Sequence, residues 1–520
     1  MSVTTAPTPQ VEKRESGKWI GLAVLMLPVL LVSIDGTVVN LALPQISRDF
    51  ATSGTLLLWI IDAYSLVLAG LLVTMGSFAD RFGRRKMLLI GGAGFALVSA
   101  AAAFAPSGEA LVAIRILLGF FGAMLMPSTV ALIRNMFTDR SERRLALAIW
   151  ASCFSAGAAL GPVLGGVLLQ FFTWHAVFLL ALPLLVPMLI LTPLFVPESK
   201  DPNPGPISIL NVVLSMLTLA PAIYAIKTIA TEGATAAALT AVAVAIVSGL
   251  WFARRQLTSS NPMLDLHLFK VKSFSGAVLT NLAIVFAMVG FLYYSAQHLQ
   301  LVEGLEPLFA GLVLLPGTIV MAISGLAVVP LARRYPINRI VAVGAWLAAV
   351  AYLCLMIFGV GATPVTIAVI FSVLALGTGA AETLTNDAIV SAVPAHKAGA
   401  ASAISETAYE VGTVLGTAIL GSISVAFYTH NVQVPGGLSP TAALEAGQTL
   451  GGAVNVASEL PASASSSLLE SAFAAFDSGV LAIGAVGAII MAAAGVLAWV
   501  FLAQPAGVDE AVEIGIDVSS

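Results

Sequence analysis

Apolar stretches recur along almost the whole sequence and are separated by short polar segments. Most reach about 20 residues, the length a helix needs to cross a hydrocarbon core of ~30 Å. Their long uncharged centres suit helices rather than the alternating strands, about ten residues long, of an outer-membrane barrel. The pattern therefore predicts an all-α membrane protein with fourteen transmembrane helices, at 19–44, 56–78, 86–105, 109–133, 145–171, 174–196, 207–229, 234–253, 273–300, 308–332, 338–360, 363–386, 397–428 and 472–503.

The composition agrees with this prediction. Of the 520 residues, 59% are hydrophobic and 10% are charged, whereas a soluble domain carries about 25% charged residues. The first apolar run is too long for the core of a signal peptide and is followed by further spans, so we expect no cleaved leader. Cys153 and Cys354 both fall in apolar spans, which favours packing roles over a disulfide or a metal site.

The loops alternate in positive charge, which predicts the orientation of the chain because cytoplasmic loops are rich in Lys and Arg. With a cytoplasmic N-terminus, all but three of the 23 basic residues fall in cytoplasmic segments; Arg48 and Lys227 face outward and Arg115 lies within a span. We therefore expect a bacterial inner (cytoplasmic) membrane protein with two cytoplasmic tails, a disordered one at 1–18 and another at 504–520. The basic clusters are short and lie on different helix pairs, which disfavours nucleic-acid binding.

Two segments of the chain repeat at a constant offset. MGSFADRFGRRKMLLIG (75–91) corresponds to VVPLARRYPINRIVAVG (328–344). The repeat predicts two related six-helix halves, at 19–196 and 273–503, with two inserted transmembrane helices at 207–254. Paired halves of this kind form alternating-access transporters, whose substrate site lies between the halves near the middle of the membrane.

The segment 429–471 joins the last two spans on the external side and contains no Lys or Arg. Its helix-compatible stretches, around 441–458 and 465–473, predict a short helical hairpin over the external mouth. A disordered linker is the alternative.

Five motifs resemble the major facilitator superfamily, and in particular its fourteen-span drug:proton antiporter branch, which includes efflux pumps for quaternary ammonium compounds and viologens. The motifs are GSFADRFGRRK (76–86), SIDGTVVNLALP (33–44), AGAALGPVLGG (156–166), RILLGFFGA (115–123) and LLWIIDAYSL (57–66). The resemblance covers residues 19 to 503 and implies the major facilitator fold. It is much more specific for fold and branch than for substrate.

The resemblance also implies roles for two groups of residues. The signature loop would belong to a charge network that holds the inward gate closed, with Gly76, Asp80, Arg81, Gly83 and Arg84 at matching positions. The C-terminal copy has Arg333 in place of Asp80, so the gating role falls to the N-terminal loop. The antiporter motif of span five would form a moving interface, because small residues allow close helix approach and the proline bends the helix: Gly157, Gly161, Pro162, Gly165 and Gly166.

Three carboxylates are predicted to lie deep in the bundle. Measured from the cytoplasmic ends of their spans, Asp35 lies about 24 Å deep, and Glu406 and Glu410 lie about 14 and 20 Å deep. The two glutamates are four residues apart and share a helix face. A carboxylate in the membrane is costly and usually faces a functional cavity. Helices at the positions of these two spans, first and fifth in their halves, line the central cavity in the family that the chain resembles, and the resemblance therefore implies that the three carboxylates converge on one chamber.

The functional hypothesis is that these carboxylates bind protons when buried and release them when a positively charged substrate binds. Exchange of a proton for an organic cation is antiport, driven by the proton gradient without a cofactor. The alternative is structural: each carboxylate is permanently protonated or bonded to a neighbouring hydroxyl and specifies packing.

Other polar and aromatic residues have weaker assignments. Asp62 and Arg115 lie at similar depth on neighbouring spans, which predicts a buried ion pair, with or without Asp35. The alternative, implied by the resemblance to span-four arginines of the family, is a proton relay. Glu382 and Asp387 are expected at a solvated helix end. Possible cavity aromatics for cation–π contacts are Trp59, Tyr64, Phe154, Tyr293, Tyr294 and Tyr409.

The sequence therefore predicts a monomeric, proton-coupled multidrug efflux antiporter that exports lipophilic or quaternary ammonium cations such as dyes, antiseptics and viologens. Two alternatives stay open: an exporter of a specific neutral or anionic antibiotic or metabolite, and a proton-coupled importer. An enzyme is disfavoured because the sequence contains no nucleophile elbow, phosphate loop, metal cluster or cofactor motif.

Overall fold

The computed structural model describes residues 9–50, 53–201, 208–259, 262, 264–393 and 398–503, and these residues form helices without strands. Thirteen helical segments within these ranges are long and apolar enough to cross a membrane. Arg140–Phe171 is a continuous helix of 32 residues at the position of the fifth predicted span, 145–171. Its apolar stretches are Leu145–Phe154 and Leu160–Phe171.

The first half of the chain contains seven helices. A glycine with φ of 115°, Gly83, separates the second from the third, and Ser53 and Ser107 cap the second and fourth by accepting backbone N–H groups. The helices are α1 (Pro9–Phe50), α2 (Gly54–Phe82), α3 (Arg84–Ala102), α4 (Gly108–Met136), α5 (Arg140–Phe171), the single-turn α6 (His175–Leu179) and α7 (Ala181–Phe195).

The prediction of a disordered tail at 1–18 was wrong for its second part, because α1 already begins at Pro9. Residues 1–8 and the predicted C-terminal tail at 504–520 lie outside the described residues.

The inserted pair consists of α8 (Ile209–Glu232) and α9 (Ala236–Thr258). Gly233, with φ of 81°, and the N-cap Thr235 make the turn between them. The two helices pack on each other, and α8 also packs on α2. Only 11% of the residues in the apolar stretch of α9 are buried. The pair therefore lies at the periphery of the bundle, and only α8 reaches its core.

The second half begins with a 3-10 turn at Leu266–Lys270. Two of its helices contain π-helical turns, at His298–Val302 after α10 and at Thr417–Gly421 between α14 and α15. The helices are α10 (Lys272–Gln297), α11 (Pro307–Leu331), α12 (Ile337–Phe358), α13 (Pro364–Ser391), α14 (Ala398–Gly416), α15 (Ser422–Asn431), α16 (Pro440–Gln448), α17 (Leu450–Ser458), α18 (Ala462–Ser478) and α19 (Val480–Phe501).

In the segment expected to form a hairpin, α16 and α17 are the two short helices. The second predicted stretch, 465–473, lies inside α18, which leads into α19 across Gly479.

The two halves meet at the end of the bundle that carries α17. The Ser47 and Thr449 hydroxyls are 3.2 Å apart, and the Gln300 side-chain amide donates to the Leu41 carbonyl at 3.0 Å. Gln170 of α5 donates to Glu306, next to the start of α11, at 2.8 Å. These contacts close this end, which we call the closed end.

Candidate substrate and proton site

A cavity of about 390 Å³ lies between the two halves. It extends from Glu410, deep in the bundle, to Arg134 and Asp387, which lie near the ends of α4 and α13 away from the closed end. Its acidic residues all come from α13 and α14, and they face a largely apolar wall contributed by the first half: Val32, Leu68, Leu72, Met126, Val130 and Leu147.

Glu406 and Glu410 both line this cavity from one face of α14. Glu410 is 7% exposed and lies beside the Ser65 hydroxyl of α2. Glu406, one turn nearer the opening, is half-buried and lies within electrostatic range of both Glu410 and Arg134. Neither glutamate has an ion-pair partner within 4 Å among the described residues. Two carboxylates therefore share one cavity wall, and no side chain placed by the structure pairs with either of them.

Asp35 lies behind this wall, so the expectation that all three carboxylates converge on the chamber was wrong in part. Its Oδ2 atom is 2.6 Å from Nη1 of Arg115, which also donates through Nε to the Ile60 carbonyl at 2.9 Å. The Arg115 side chain is 1% exposed and lies 4.4 Å from the Tyr64 ring centroid. A guanidinium so buried requires a counter-charge, and Asp35 supplies it. Asp35 still acts electrostatically on Glu410.

The partner expected for Asp62 was also wrong. Asp62 does not pair with Arg115; its Oδ2 atom lies 2.8 Å from Nζ of Lys227, and both side chains are 0% exposed. The inserted helix α8 packs on α2 and brings this lysine to the face of α2 that carries Asp62. The prediction that Lys227 faces outward was therefore wrong. A lysine inside an apolar run requires a buried acid, which is the signal that would have identified the pair.

Glu382 does not lie at a solvated helix end, whereas Asp387 is exposed near the end of α13, as expected. Helix α13 continues to Ser391, and both residues line the cavity. The neighbouring Asn386 accepts a hydrogen bond from Ser405 of α14 at 2.7 Å, which joins the two acidic helices. Glu382 is the functional candidate that sequence reasoning missed. It was assigned to a helix end because it falls in the last turn of the predicted span at 363–386, although a polar residue there can also face an aqueous cavity.

Three aromatic rings line the cavity opposite and beside the carboxylates. Trp150 and Phe154, one turn apart on α5, have ring centroids 6.2 Å apart at an interplanar angle of 14°. Phe154 meets Tyr409 of α14 edge to face at 5.3 Å. Phe154 and Tyr409 were among the predicted aromatics. Trp150 was missed, although its spacing from Phe154 places it on the same helix face.

The other four predicted cavity aromatics lie elsewhere. Trp59 lies under Lys227, with Nζ 4.1 Å from its ring centroid, and Tyr64 packs on Arg115. Tyr293 lines a pocket of about 20 Å³ at the closed end. Tyr294 stacks on Phe476 within the second half, with centroids 5.6 Å apart. The rotation of each helix about its axis decides which side its aromatic residues face. An apolar pattern does not predict that rotation when a helix is buried on several sides.

The signature loop is tied to the segment that follows α7. Arg84 pairs with Asp80 at 2.8 Å, and the Asp80 carbonyl accepts the N–H of Asp201 at 3.0 Å. The Glu198 carboxylate accepts the backbone N–H of Arg85 at 2.9 Å, where the start of α3 favours an anion. Each of these contacts lies within the first half of the chain.

The two glycines of the signature loop have different surroundings. A Cβ at Gly83 would lie 3.0 Å from the Glu198 carboxylate, and one at Gly76 would lie 3.4 Å from Pro127. Gly83 also has φ of 115°, which an L side chain rarely adopts. Arg81 is exposed at the end of α2. The loop geometry therefore requires a glycine at position 83.

The antiporter motif of α5 makes close contacts on two sides. A Cβ on Gly157, Gly161 or Gly165 would collide with side chains of α1, and one on Gly166 would lie 2.8 Å from the carbonyl oxygen of Pro307. The carbonyl oxygen of Pro162 approaches Gly311 of α11 equally closely. The motif therefore holds α5 against α1 within its own half and against α11 of the other half.

We predict that Gly161→Ala lowers the unfolding temperature of the purified protein. The added methyl group would lie 2.9 Å from Cβ of Thr37, and overpacking of this kind typically costs about 1–3 kcal/mol. Gly36→Ala is the matched control, because a Cβ there meets nothing within 4 Å. Equal unfolding temperatures for the two variants would contradict the close α1–α5 contact.

Two six-helix halves around a central cavity, closed at one end and lined by membrane-embedded carboxylates, define a membrane transporter of the alternating-access type. The chain belongs to the major facilitator superfamily: the sequence model of the Major Facilitator Superfamily matches residues 25–417. It is thus a multi-pass membrane transporter and not an enzyme. In the part of the chain that the structure describes, fourteen membrane-spanning helices form two six-helix halves and an inserted pair.

Curated relatives match nearly the whole chain. The chain is 55% identical over 494 residues to the multidrug efflux pump LfrA of Mycolicibacterium smegmatis, with 95% of this chain and 98% of LfrA covered. It is 34% identical over 462 residues to the methyl viologen resistance protein SmvA of Salmonella typhimurium, with 88% and 93% covered.

Solved structures of other transporters share the fold. A bacterial homologue of the human lysosomal transporter Spinster, in an inward-facing and occupied conformation, aligns with a TM-score of 0.60 at 18% identity, covering 92% of this chain and 96% of that one. The peptide transporter POT in complex with sulfate aligns with a TM-score of 0.59 at 16% identity, covering 92% and 95%. At these identities the likeness concerns the fold alone.

Proposed function

We propose that this transporter is a proton-coupled exporter of lipophilic and quaternary ammonium cations. The observation that carries the proposal is the cavity itself, where Glu406, Glu410 and Glu382 lie around the rings of Trp150, Phe154 and Tyr409. Carboxylates attract a cation, and aromatic faces bind its apolar or quaternary part. The functions of the relatives, multidrug efflux for LfrA and methyl viologen resistance for SmvA, support the same substrate class.

The proposed mechanism is competition between protons and cargo for the glutamates of α14. A carboxyl group in surroundings of low dielectric constant favours its neutral form, and a bound cation favours the ionised form. Cargo entry from one side therefore releases protons, and proton entry from the other side releases cargo. The Asp35–Arg115 pair sets the field at Glu410 from behind the cavity wall.

The energetics require several carboxylates if both monocations and dications are exported. The membrane potential supplies ~2.3 kcal/mol per charge per 100 mV. Export of a monocation for one proton moves no net charge, whereas a dication needs two or more protons. Glu406 and Glu410, with Glu382 nearby, provide enough exchangeable groups for either case.

The proposed orientation places both termini in the cytoplasm and the protein in the inner membrane. The cavity then opens to the cytoplasm, and α16 and α17 cover the external end. The basic ends of α2 and α4, with Arg81 and Arg134, face the cytoplasm as positive charge usually does. In the conformation open to the cytoplasm, the Asp80–Arg84 pair stays within its own half, and we propose that it holds the inward gate once the halves close there. A single chain completes the cavity.

The proposal is tested by efflux of a cationic dye, ethidium, from cells that express the protein. We expect active efflux that a protonophore abolishes, and no efflux of a neutral analogue. Export of the neutral compound alone, or proton-driven accumulation of ethidium, would favour the neutral-substrate exporter or the importer and overturn the proposal.

A further inference from the structure

The inserted helix α8 meets both halves of the transporter at one junction. Leu66 of α2, Ile223 of α8, Val414 of α14 and Ala418 of the π-helical turn after α14 form a separate apolar cluster. Helix α14 is the element that carries Glu406 and Glu410. An otherwise peripheral helix pair therefore reaches the helix that bears the exchanging carboxylates.

A fully buried ion pair lies at this junction. Lys227 of α8 and Asp62 of α2 are 2.8 Å apart and have no exposed side-chain surface. Neither charged group has a hydrogen bond of regular geometry to another described residue, so each depends on the other for charge compensation. The ammonium also lies against the Trp59 ring, 4.1 Å from its centroid.

The surroundings of Asp62 come from four helices. Trp59 lies on the same helix as Asp62, Lys227 comes from α8, Tyr293 of α10 lies within electrostatic range of Asp62, and the Thr417 hydroxyl from the π-helical turn after α14 lies beside Asp62. Among these, Lys227 is the cation. The positive charge of Lys227 therefore neutralises the Asp62 carboxylate, as a bound proton would otherwise do in these buried surroundings.

The carboxylates in the bundle differ in whether they have an ion-pair partner. Glu406 and Glu410 line the cavity without an ion-pair partner within 4 Å among the described residues, whereas Asp62 is paired and shielded from the cavity. Lys227 belongs to the inserted pair, which has no counterpart in the repeat between the halves. The ion pair is thus a specific feature of the insertion.

We propose that Lys227 is a positioning residue that replaces a proton on Asp62, so that Asp62 stays ionised through the transport cycle and anchors α8 and α2 beside the π-helical turn that follows α14. Asp62 is then excluded from the carboxylates that exchange protons with cargo. This inference rests on the proposed function for its transport assay, and it assigns the inserted helices a role in the cycle.

The test compares four proteins: wild type, Lys227→Met, Asp62→Asn and the double variant Asp62→Asn/Lys227→Met, with the exposed Lys272→Met as control. Each single variant leaves one buried charge unpaired, and we expect its maximal export rate to fall roughly tenfold or more. The apparent affinity for cargo should stay unchanged, because the pair lies outside the cavity. The neutral double variant should regain at least about half of the wild-type rate, since no charge is then left uncompensated.

Proton release per bound bis-quaternary cation decides between positioning and proton transfer. We expect the double variant to release as many protons as wild type. A double variant as inactive as the single variants, or absent from the membrane, would overturn the proposal, and so would the loss of one released proton in an active double variant.

Failure of the proposed function would give a different result, because wild type itself would then export no cation. In that case the unfolding temperatures of the same four proteins still test the pair. Non-additive effects of the two substitutions support it, and additive effects contradict it.

Discussion

Glu410→Gln is expected to abolish proton-coupled export of quaternary ammonium cations while the protein still reaches the membrane. Glutamine preserves the size of the side chain but can neither bind an exchangeable proton nor compensate a cationic substrate. Loss of one partner in a buried charge contact typically costs about 2 kcal/mol or more, and each 1.4 kcal/mol corresponds to about tenfold. We therefore expect export of a monocationic dye to fall by more than about tenfold.

The matched control is Glu470→Gln, because Glu470 is an exposed glutamate on α18, far along the chain from the cavity helices. Dye efflux is measured in cells at equal membrane abundance of each variant. Full proton-coupled efflux by Glu410→Gln would show that the deepest cavity carboxylate has no part in transport.

Asp35→Asn is expected to have the second large effect, on stability as well as on transport. The substitution leaves the Arg115 guanidinium, which is 1% exposed, without its carboxylate partner. Removal of one partner from a buried ion pair typically costs on the order of 3–5 kcal/mol. We expect a clearly lower unfolding temperature for the purified variant, together with loss of export.

The double variant Asp35→Asn/Arg115→Met separates the two effects. Because it leaves no unpaired charge, its unfolding temperature should return toward that of wild type, while export stays impaired if the pair sets the field at Glu410. An unchanged unfolding temperature for Asp35→Asn alone would contradict the pairing seen in the structure.

The span positions could be predicted from the sequence because each helix must be apolar over the full thickness of the membrane. The inserted pair could be placed because the signature loop occurs twice at a constant offset. Both features depend on local sequence alone. They led to the fold without any knowledge of which helix faces touch.

Pairing partners could not be predicted in the same way. The positions of Asp62 and Arg115 along their spans predicted similar depths in the membrane. Contact between two side chains also depends on the rotation of each helix and on which neighbouring helix packs against the face that carries the charge. The insertion brings Lys227 to Asp62, and Arg115 turns to Asp35. The depth of a charged residue therefore limits its possible ion-pair partners but does not identify the one that it contacts.

The acidic wall was found for α14 and missed for α13 for one physical reason. Glu406 and Glu410 interrupt a long apolar run, so a membrane position was evident for them. Glu382 precedes a polar run, which is typical of a helix end and equally of a helix that faces a water-filled cavity.

The most direct measurement is proton release when a bis-quaternary ammonium compound is added to the purified transporter in weakly buffered detergent. If the α14 glutamates exchange protons for cargo, wild type should release about one proton or more per bound cation, and Glu406→Gln/Glu410→Gln should bind weakly and release none. Binding by wild type without proton release, or equal release by the double variant, would contradict the account.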